Sequence, residues 1–395
     1  MSRYSGNSIA KISVAGLALL LWAGGAQAKG FKVVYNFAGG TDSAVPEAGL
    51  IEDTAGNFYG TTTSGGAGAG TVFKLAPDGS ETVLYSFTDQ SDGGIPYGNL
   101  VRDQNGNIYG TTNSGGSFPC NCGVIFKIDS SEQQTVLHAF LGGSDGAFPY
   151  GGGLIEDAQG NLYGATYNGG GADCFDGCGT VFKLAPDGTE TVLHAFAGGS
   201  DGANPWWGPV MDKHGNLYGA TYAGGGSAVC SGGCGTVYKI DSAGNESVIF
   251  AFPGGSGGAF PQTSLVMDRQ GNLYGTTRFG GTANGGTVFK LAPDGTETVL
   301  HSFPGGSDGA SPYAGLVRDG KGNLYGTTQQ GGSADAGVVF KVTSTGAETV
   351  LYSFGGGTDG DQPVAPLLIG ADKKLYGTAS EGGTNGFGTV FSLKR

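Results

Sequence analysis

Six aspartates recur at one place in a repeating pattern: Asp42, Asp92, Asp145, Asp201, Asp308 and Asp359, with Gly257 at the seventh. A ring of carboxylates offers oxygen ligands to Ca2+ or an acid/base pair for glycoside hydrolysis. Each aspartate, however, sits in a glycine-rich stretch, where its side chain caps its own turn. Catalysis needs a group unlike its neighbours, and a residue repeated six times is not one. The turn role is therefore the reading adopted. Ca2+ is the cofactor the aspartates would take if they took any, and no other cofactor is expected.

Histidine and cysteine give no catalytic pattern either. His138, His194 and His301 occupy a position filled elsewhere by Tyr35, Tyr85, Phe250 and Tyr352, which reads as packing. His214 stands in a turn where other repeats carry Ala55, Asn105, Gln159, Gln270 and Lys321. No nucleophile–histidine–acid set, zinc-protease motif or phosphate loop is present. The six cysteines fall in three neighbouring loops: Cys120 and Cys122, Cys174 and Cys178, Cys230 and Cys234. An even count in an exported chain reads as disulfides. Pairs Cys174–Cys178 and Cys230–Cys234 close easily. Cys120–Cys122, with one residue between, would form a small ring, and its connectivity stays open. Zinc is the competing reading, but these spacings without nearby histidine fit it poorly.

Aromatic residues supply the remaining candidate. A proline marks each of seven connections, at Pro46, Pro96, Pro149, Pro205, Pro261, Pro312 and Pro363. The residue after it is Glu47, Tyr97, Tyr150, Trp206, Gln262, Tyr313 or Val364, and Trp207 adds a further ring. Aromatic faces with polar neighbours suit stacking on sugars or other flat ligands. The competing reading is that they plug the top of a channel. The ligand-binding candidates are Glu47, Tyr97, Tyr150, Trp206, Trp207 and Tyr313.

What positions these residues is a repeat. The tyrosine of a G-N-x-Y-G core recurs at Tyr59, Tyr109, Tyr163, Tyr218, Tyr274, Tyr325 and Tyr376, at spacings of 50 to 56 residues. In the last copy Lys373-Lys374 replaces Gly-Asn. The sixth copy resolves into four β-type segments, Thr298–Phe303, Gly315–Arg318, Leu324–Thr328 and Val338–Val342, joined by Gly/Asn/Asp turns. Four strands in about fifty residues make a propeller blade, and seven blades close a ring. The predicted fold is an all-β, seven-bladed propeller of four-stranded antiparallel blades. Lys32–Phe37 is expected to pair with Thr389–Lys394 and so remove the open edge.

Loop lengths separate two faces. The Asp-x-x-Gly-Asn and Pro-Asp-Gly turns are short and uniform. The loops after Tyr-Gly-Thr-Thr are not: from the core glycine to the glycine before the next strand they run 10 residues in repeat one, 11 in repeats five to seven, and 13, 15 and 16 in repeats two to four. Variable loops on a rigid scaffold carry function, so that face, and repeats two to four within it, is the candidate surface.

Composition bounds the partners. The 395 residues include 82 glycines and 13% charged residues, with a net charge of −13. That argues against a nucleic-acid partner, because phosphate binding needs basic clusters. Arg3 and Lys11, the apolar run 12–23 and Ala26-Gln27-Ala28 read as a signal peptide over residues 1–28, and residues 29–395 as a single domain. The expectation is a secreted or periplasmic monomer with no membrane span after cleavage.

The motifs G-N-L-Y-G-T-T, G-T-V-F-K-L and T-V-L-H-S-F-x-G-G-S-D-G, recurring in order over 31–395, resemble the GloVer tandem repeats of bacterial exported proteins. The resemblance implies an extracytoplasmic repeat protein, often attached by a C-terminal sorting signal. Here the last residues, Phe391-Ser-Leu-Lys-Arg395, form no such signal. It supplies no activity that transfers to particular residues. Three functions follow in order: a binding propeller without catalysis, taking a glycan or other neutral polar ligand; an extracytoplasmic polysaccharide lyase, hydrolase or lactonase; and a scaffold with no specific ligand.

Overall fold

The computed structural model describes residues 30–395 apart from 152, 171–173 and 175–176, so the segment read as a signal peptide lies outside the described residues. Seven four-stranded antiparallel blades are present among the described residues; six run in chain order from an inner to an outer strand, the seventh takes its outer strand from the start of the described chain, and the sheet of blade four carries Ala203–Pro205 as a fifth strand. Blade six is typical: Val317–Arg318, Leu324–Thr328, Val338–Val342 and Glu348–Ser353. The inner strand is shorter than the sequence suggested, two residues in every blade. The segments ahead of it crowd the axis. A Cβ added to Gly208 would overlap Gly153 O, and one added to Gly315 would overlap Ser264 Oγ. Backbones this close have no room for further ladder pairing.

The ring closes as expected. Lys32–Asn36 pairs antiparallel with Thr389–Leu393, Lys32 opposite Ser392 and Asn36 opposite Thr389. Phe31, just ahead of that strand, takes the place that Glu348 holds in blade six, and its ring stacks on Tyr352 of the neighbouring blade at 3.7 Å.

Two glycine positions explain the repeat motifs. The glycine of Tyr-Gly lies under the third-strand aromatic of its own blade: a Cβ on Gly110 would stand 2.6 Å from Phe126 Cζ. The glycine opening the third strand has φ near +95° in each blade and lies against the next blade's proline. A Cβ on Gly286 would stand 2.5 Å from Pro312 Cδ. Neither place tolerates a side chain.

The turn signature is a latch. Asp53 accepts hydrogen bonds from the N–H groups of Ala55 and Asn57, from Asn57 Nδ2 and from the Tyr59 hydroxyl, each at 2.9 Å. The same set recurs at Asp103, Asp157, Asp212, Asp268 and Asp319. Blade seven, with Gly370 at the aspartate position, rebuilds it from Asp372, which holds Lys374 and the Tyr376 hydroxyl. The recurrent tyrosine is thus a structural clasp at the short-turn face.

The core lies between blades. The phenylalanine ending each outer strand meets the third-strand aromatic of the next blade edge-on. Phe37–Phe73, Phe140–Phe182, Phe303–Phe340 and Phe354–Phe391 have ring centres 5.0–5.3 Å apart, and all eight rings are fully buried. Blade four alone uses a tyrosine, Tyr238, against Phe196. Its hydroxyl is buried with no hydrogen-bond partner. Tyr238→Phe is expected to stabilise the protein by about 1 kcal/mol, because an unsatisfied buried hydroxyl is removed at nearly constant volume. Urea denaturation checks it, and a destabilised variant would mean that the hydroxyl has a partner.

Candidate functional site

Each crossover enters the axis through one unusual residue. The residue before the proline has positive φ in all seven blades: Val45, Ile95, Phe148, Asn204, Phe260, Ser311 and Gln362, between 53° and 58°. Left-handed backbone is costly for side-chain-bearing residues and is an outlier for β-branched Val and Ile. Hydrogen bonds on both sides hold it. Ile95 donates to Ala69 O at 2.8 Å, and Ile95 O accepts from Asn113 N at 3.0 Å. The bend turns the next side chain toward the axis.

In blades two to four the carbonyl that holds the bend belongs to a cysteine. Phe148 N–H donates to Cys122 O, Asn204 to Cys178 O and Phe260 to Cys234 O. The six cysteines lie as three within-loop pairs, Cys120–Cys122, Cys174–Cys178 and Cys230–Cys234, with Cα separations of 5.0, 5.2 and 5.2 Å. The first pairing, left open by the sequence, is of the same kind. The pairs therefore brace the crossovers that present Tyr150, Trp206 and Gln262.

The post-proline residues converge. Glu47, Tyr97, Tyr150, Trp206, Trp207 and Tyr313 line one cavity of about 310 Å3. Tyr150 stacks on Trp206 with centres 4.9 Å apart, Tyr97 lies 5.7 Å from Tyr150, and Tyr313 meets Trp206 edge-on at 6.0 Å. Trp206 is half-buried, whereas Trp207 is only 3% exposed and its Nε1 has no partner. Sequence reasoning missed a second tier, the residue after Tyr-Gly-x-[Thr/Ala]: Thr63, Asn113, Tyr167, Tyr222, Arg278, Gln329 and Ser380. Of these, Arg278, Gln329 and Ser380 line the cavity, with Glu381 beside them. Tyr167 packs on Trp206 at 5.2 Å. Part of the signal was available, since this position takes six residue types in seven copies directly after a segment that repeats.

The cavity's charges are opposed. Burial pushes the Glu47 carboxyl up to about 6, the Tyr97 and Thr63 hydroxyls pull it back, and Glu381 adds to the rise. Burial, followed by the Glu47 charge, raises the Tyr97 phenol. The Tyr313 phenol is raised to about 12 by burial, against the pull of Arg278. This arrangement can stack a flat ring, hydrogen-bond hydroxyls through Glu47, Gln329 and Gln362, and meet one negative group through Arg278.

The six aspartates are placed elsewhere, each tied to its own turn and outer strand. Asp145 accepts the Leu141 N–H at 2.7 Å and His138 Nε2 at 3.2 Å. Asp42, Asp92 and Asp359 take a tyrosine hydroxyl from Tyr35, Tyr85 and Tyr352 instead, and Asp201 and Asp308 take His194 and His301. Where the aspartate is missing, at Gly257, the partner is Phe250, which has nothing to donate. The His/Tyr position, read from sequence as packing, is therefore also a hydrogen-bonding one.

A glutamate from the next blade joins two of these pairs. His194, Asp201 and Glu246, and likewise His301, Asp308 and Glu348, offer ligand atoms within 4.8 Å of one another. These are the described residues with metal-ligand spacing, and histidine makes them a softer set than Ca2+ prefers. A simpler account also fits. Glu246 Oε1 and Glu348 Oε1 are buried and meet no donor while both acids are ionised. Burial, then the neighbouring aspartate, pushes Glu246 up to about 7 and Glu348 upward as well, which favours a proton shared between the two acids.

A larger cavity, about 970 Å3, lies between blades four and five at the short-turn face, beside His214, Lys239 and Arg269. Its acids, Asp212 and Asp268, are consumed by their turn latches.

The Gloeobacter/Verrucomicrobia repeat matches residues 24–176, 120–319 and 227–395, which together run through every blade. The chain belongs to this repeat family. That bears out the resemblance carried by its motifs. No curated protein sequence matches it. Among solved structures, virginiamycin B lyase from Staphylococcus aureus is similar, at 14% identity and TM-score 0.61 over 92% of this chain and 99% of that one. An extracellular domain from B. thetaiotaomicron is similar at 12% identity and TM-score 0.58, over 92% of this chain and 40% of that one. At such identities the likeness of the Gloeobacter/Verrucomicrobia repeat chain to these proteins is one of fold.

Two outcomes follow from this geometry. Reducing the cysteines is expected to speed amide exchange at Phe148, Asn204 and Phe260 while leaving Ile95, Ser311 and Gln362 unchanged; a uniform response would show that the pairs do not brace the mouth. The second concerns pH. Glu81, Glu190, Glu246 and Glu348 are raised by burial above their ordinary 4.5, to about 7, 7, 7 and 8. Between those limits the folded chain holds protons that the unfolded chain has released, so stability falls as pH rises. The latch aspartates are lowered, because hydrogen bonds from Asn and Tyr outweigh their burial. Their contribution is complete above 3.8 and does not oppose the trend. Tm is expected to be higher at pH 5 than at pH 8, with Glu246→Gln and Glu348→Gln together flattening the slope. A flat or rising profile in the native protein would refute it.

Proposed function

We propose that this protein is a binding propeller that takes a sugar-sized polar ligand at the mouth of its channel, without chemistry, outside the cytoplasm. The observation that supports this is the convergence of Tyr97, Tyr150, Trp206, Tyr313 and Glu47 from five crossovers onto one cavity. A plug would be served by apolar side chains. This cavity keeps polar groups among its rings, the combination that recognises a ligand with both a flat face and hydroxyls. Its asymmetry has the same implication. Blades two to four supply the stacked rings and the braced loops, and blades one and five to seven supply the polar and charged groups.

Catalysis has less support. The mouth holds two glutamates, Glu47 and Glu381, but no histidine or metal-ligand set among its lining residues. The folds it resembles serve both binding and catalysis, so fold does not choose between them.

A glycan screen read by tryptophan fluorescence tests the proposal. Trp206→Ala is expected to weaken binding by about 1–3 kcal/mol, the usual cost of truncating an aromatic anchor. It should also lower Tm, since Trp206 packs on Tyr150 and Tyr167. A glycan that binds the wild type and the variant equally would place the site elsewhere, and a screen with no quenching at all would favour the channel-plug reading.

A further inference from the structure

Among the described residues, Arg278 is the one cation lining the mouth. Its backbone N–H is fixed by Phe260 O at 3.1 Å. Its guanidinium lies 5.2 Å from the Phe279 ring centre and 5.3 Å from that of Tyr313. Nη1 donates to Gln262 Oε1 at 3.2 Å, and Gln262 is only 2% exposed, so the fork is held by a residue that has little freedom to move. Nε is buried without a hydrogen-bond partner.

No carboxylate pairs with it. Among the described residues Arg278 forms no ion pair, although acids outnumber bases by 33 to 20 in the chain and two glutamates line the same cavity. A guanidinium between aromatic faces, part-buried and lacking a counter-ion, is costly to the folded protein alone. A guanidinium that lines the cavity without a counter-ion can take an oxyanion from the cavity side. Glu47 and Glu381 are in the cavity too, so a doubly charged group such as phosphate meets more repulsion there than a single carboxylate.

We infer that the ligand is an acidic sugar, its carboxylate seated on Arg278 and its ring against Tyr150 and Trp206. This rests on the reading of the mouth as a sugar site. Glu47 then accepts from the sugar's hydroxyls, and specificity for the acid over the neutral sugar lies in Arg278.

The test uses three probes on the full mature chain: a disaccharide ending in glucuronic acid, the same disaccharide with that unit reduced to glucose, and its 6-phosphate. Tryptophan fluorescence at physiological ionic strength gives each Kd. The acid is expected to bind roughly tenfold or more tighter than the neutral sugar, as charge-assisted pairs do, and tighter than the phosphate. Arg278→Gln should abolish that preference, read as the ratio of the acid and neutral Kd values of the same variant, and Arg278→Lys should restore it in part. Equal binding of acid and neutral sugar, a preference that survives Arg278→Gln, or tighter binding of the phosphate would overturn the carboxylate assignment and leave the sugar site standing. Failure of all three probes to bind the wild type would overturn both. Should Arg278→Gln lose its near-ultraviolet circular dichroism, the Lys variant and the acid-to-neutral ratio of the native protein decide the matter.

Discussion

The contact on which the structure depends is the edge-on meeting of two buried rings between neighbouring blades. Phe87 ends the outer strand of blade one and reaches Phe126 in the third strand of blade two, and Phe252 reaches Phe289 in the same way. Truncating one such ring costs about 3–5 kcal/mol, against a total stability of about 5–15 kcal/mol for a typical domain. Two lost rings would remove about 6–10 kcal/mol, most of such a total. The rest is arranged around this contact. The glycine of Tyr-Gly leaves room for the third-strand aromatic, the outer strand delivers the phenylalanine, and the crossover that follows must bend sharply to return to the axis.

That bend links scaffold to site. Seven residues with positive φ, Val45 and Ile95 among them, each carry a penalty of order 1–2 kcal/mol. The penalty is borne because the backbone on both sides is committed to the neighbouring strands and the proline that follows rests on a bare glycine. The strain has a directional result: in six of the seven crossovers the post-proline residue lines the mouth, and in the other Gln262 is buried beside Arg278. Cys122, Cys178 and Cys234 hold the three bends that carry Tyr150, Trp206 and Gln262. The cysteine pairs thus support the mouth rather than merely tying off long loops.

Much of the fold was legible because the repeat states the same local rules seven times. Turn chemistry, strand alternation and the half-hairpins at the two ends predicted blades, closure and the two faces. The inner strand was overestimated, since Gly208 and Gly315 meet their neighbours at distances no strand pattern reveals. The post-proline residues were legible as a set because proline marked each one. Arg278 was not, because its importance lies in what surrounds it: Phe279 is adjacent in sequence, but Tyr313 comes from the next blade and Gln262 from the preceding crossover. The exchange of histidine for tyrosine looked like packing until Asp145 and Asp42 were found bonded to the two kinds of side chain alike.

Repetition and function pull in opposite directions here. The residues that repeat, the latch aspartates and tyrosines, the phenylalanine pairs and the glycines, all satisfy one another within the fold. Some of the residues that differ between copies at the mouth are left with unmet bonding. Trp207 Nε1 and Arg278 Nε lack partners, as does Asn113 Oδ1 in the same tier as Arg278. Glu246 and Glu348 at the outer strands are exceptions, since burial and the neighbouring aspartate raise both carboxyls. Arg278 has no such remedy, since a guanidinium does not give up its proton. Arg278, where the crossovers converge, is left with a buried Nε and no ion pair among the described residues.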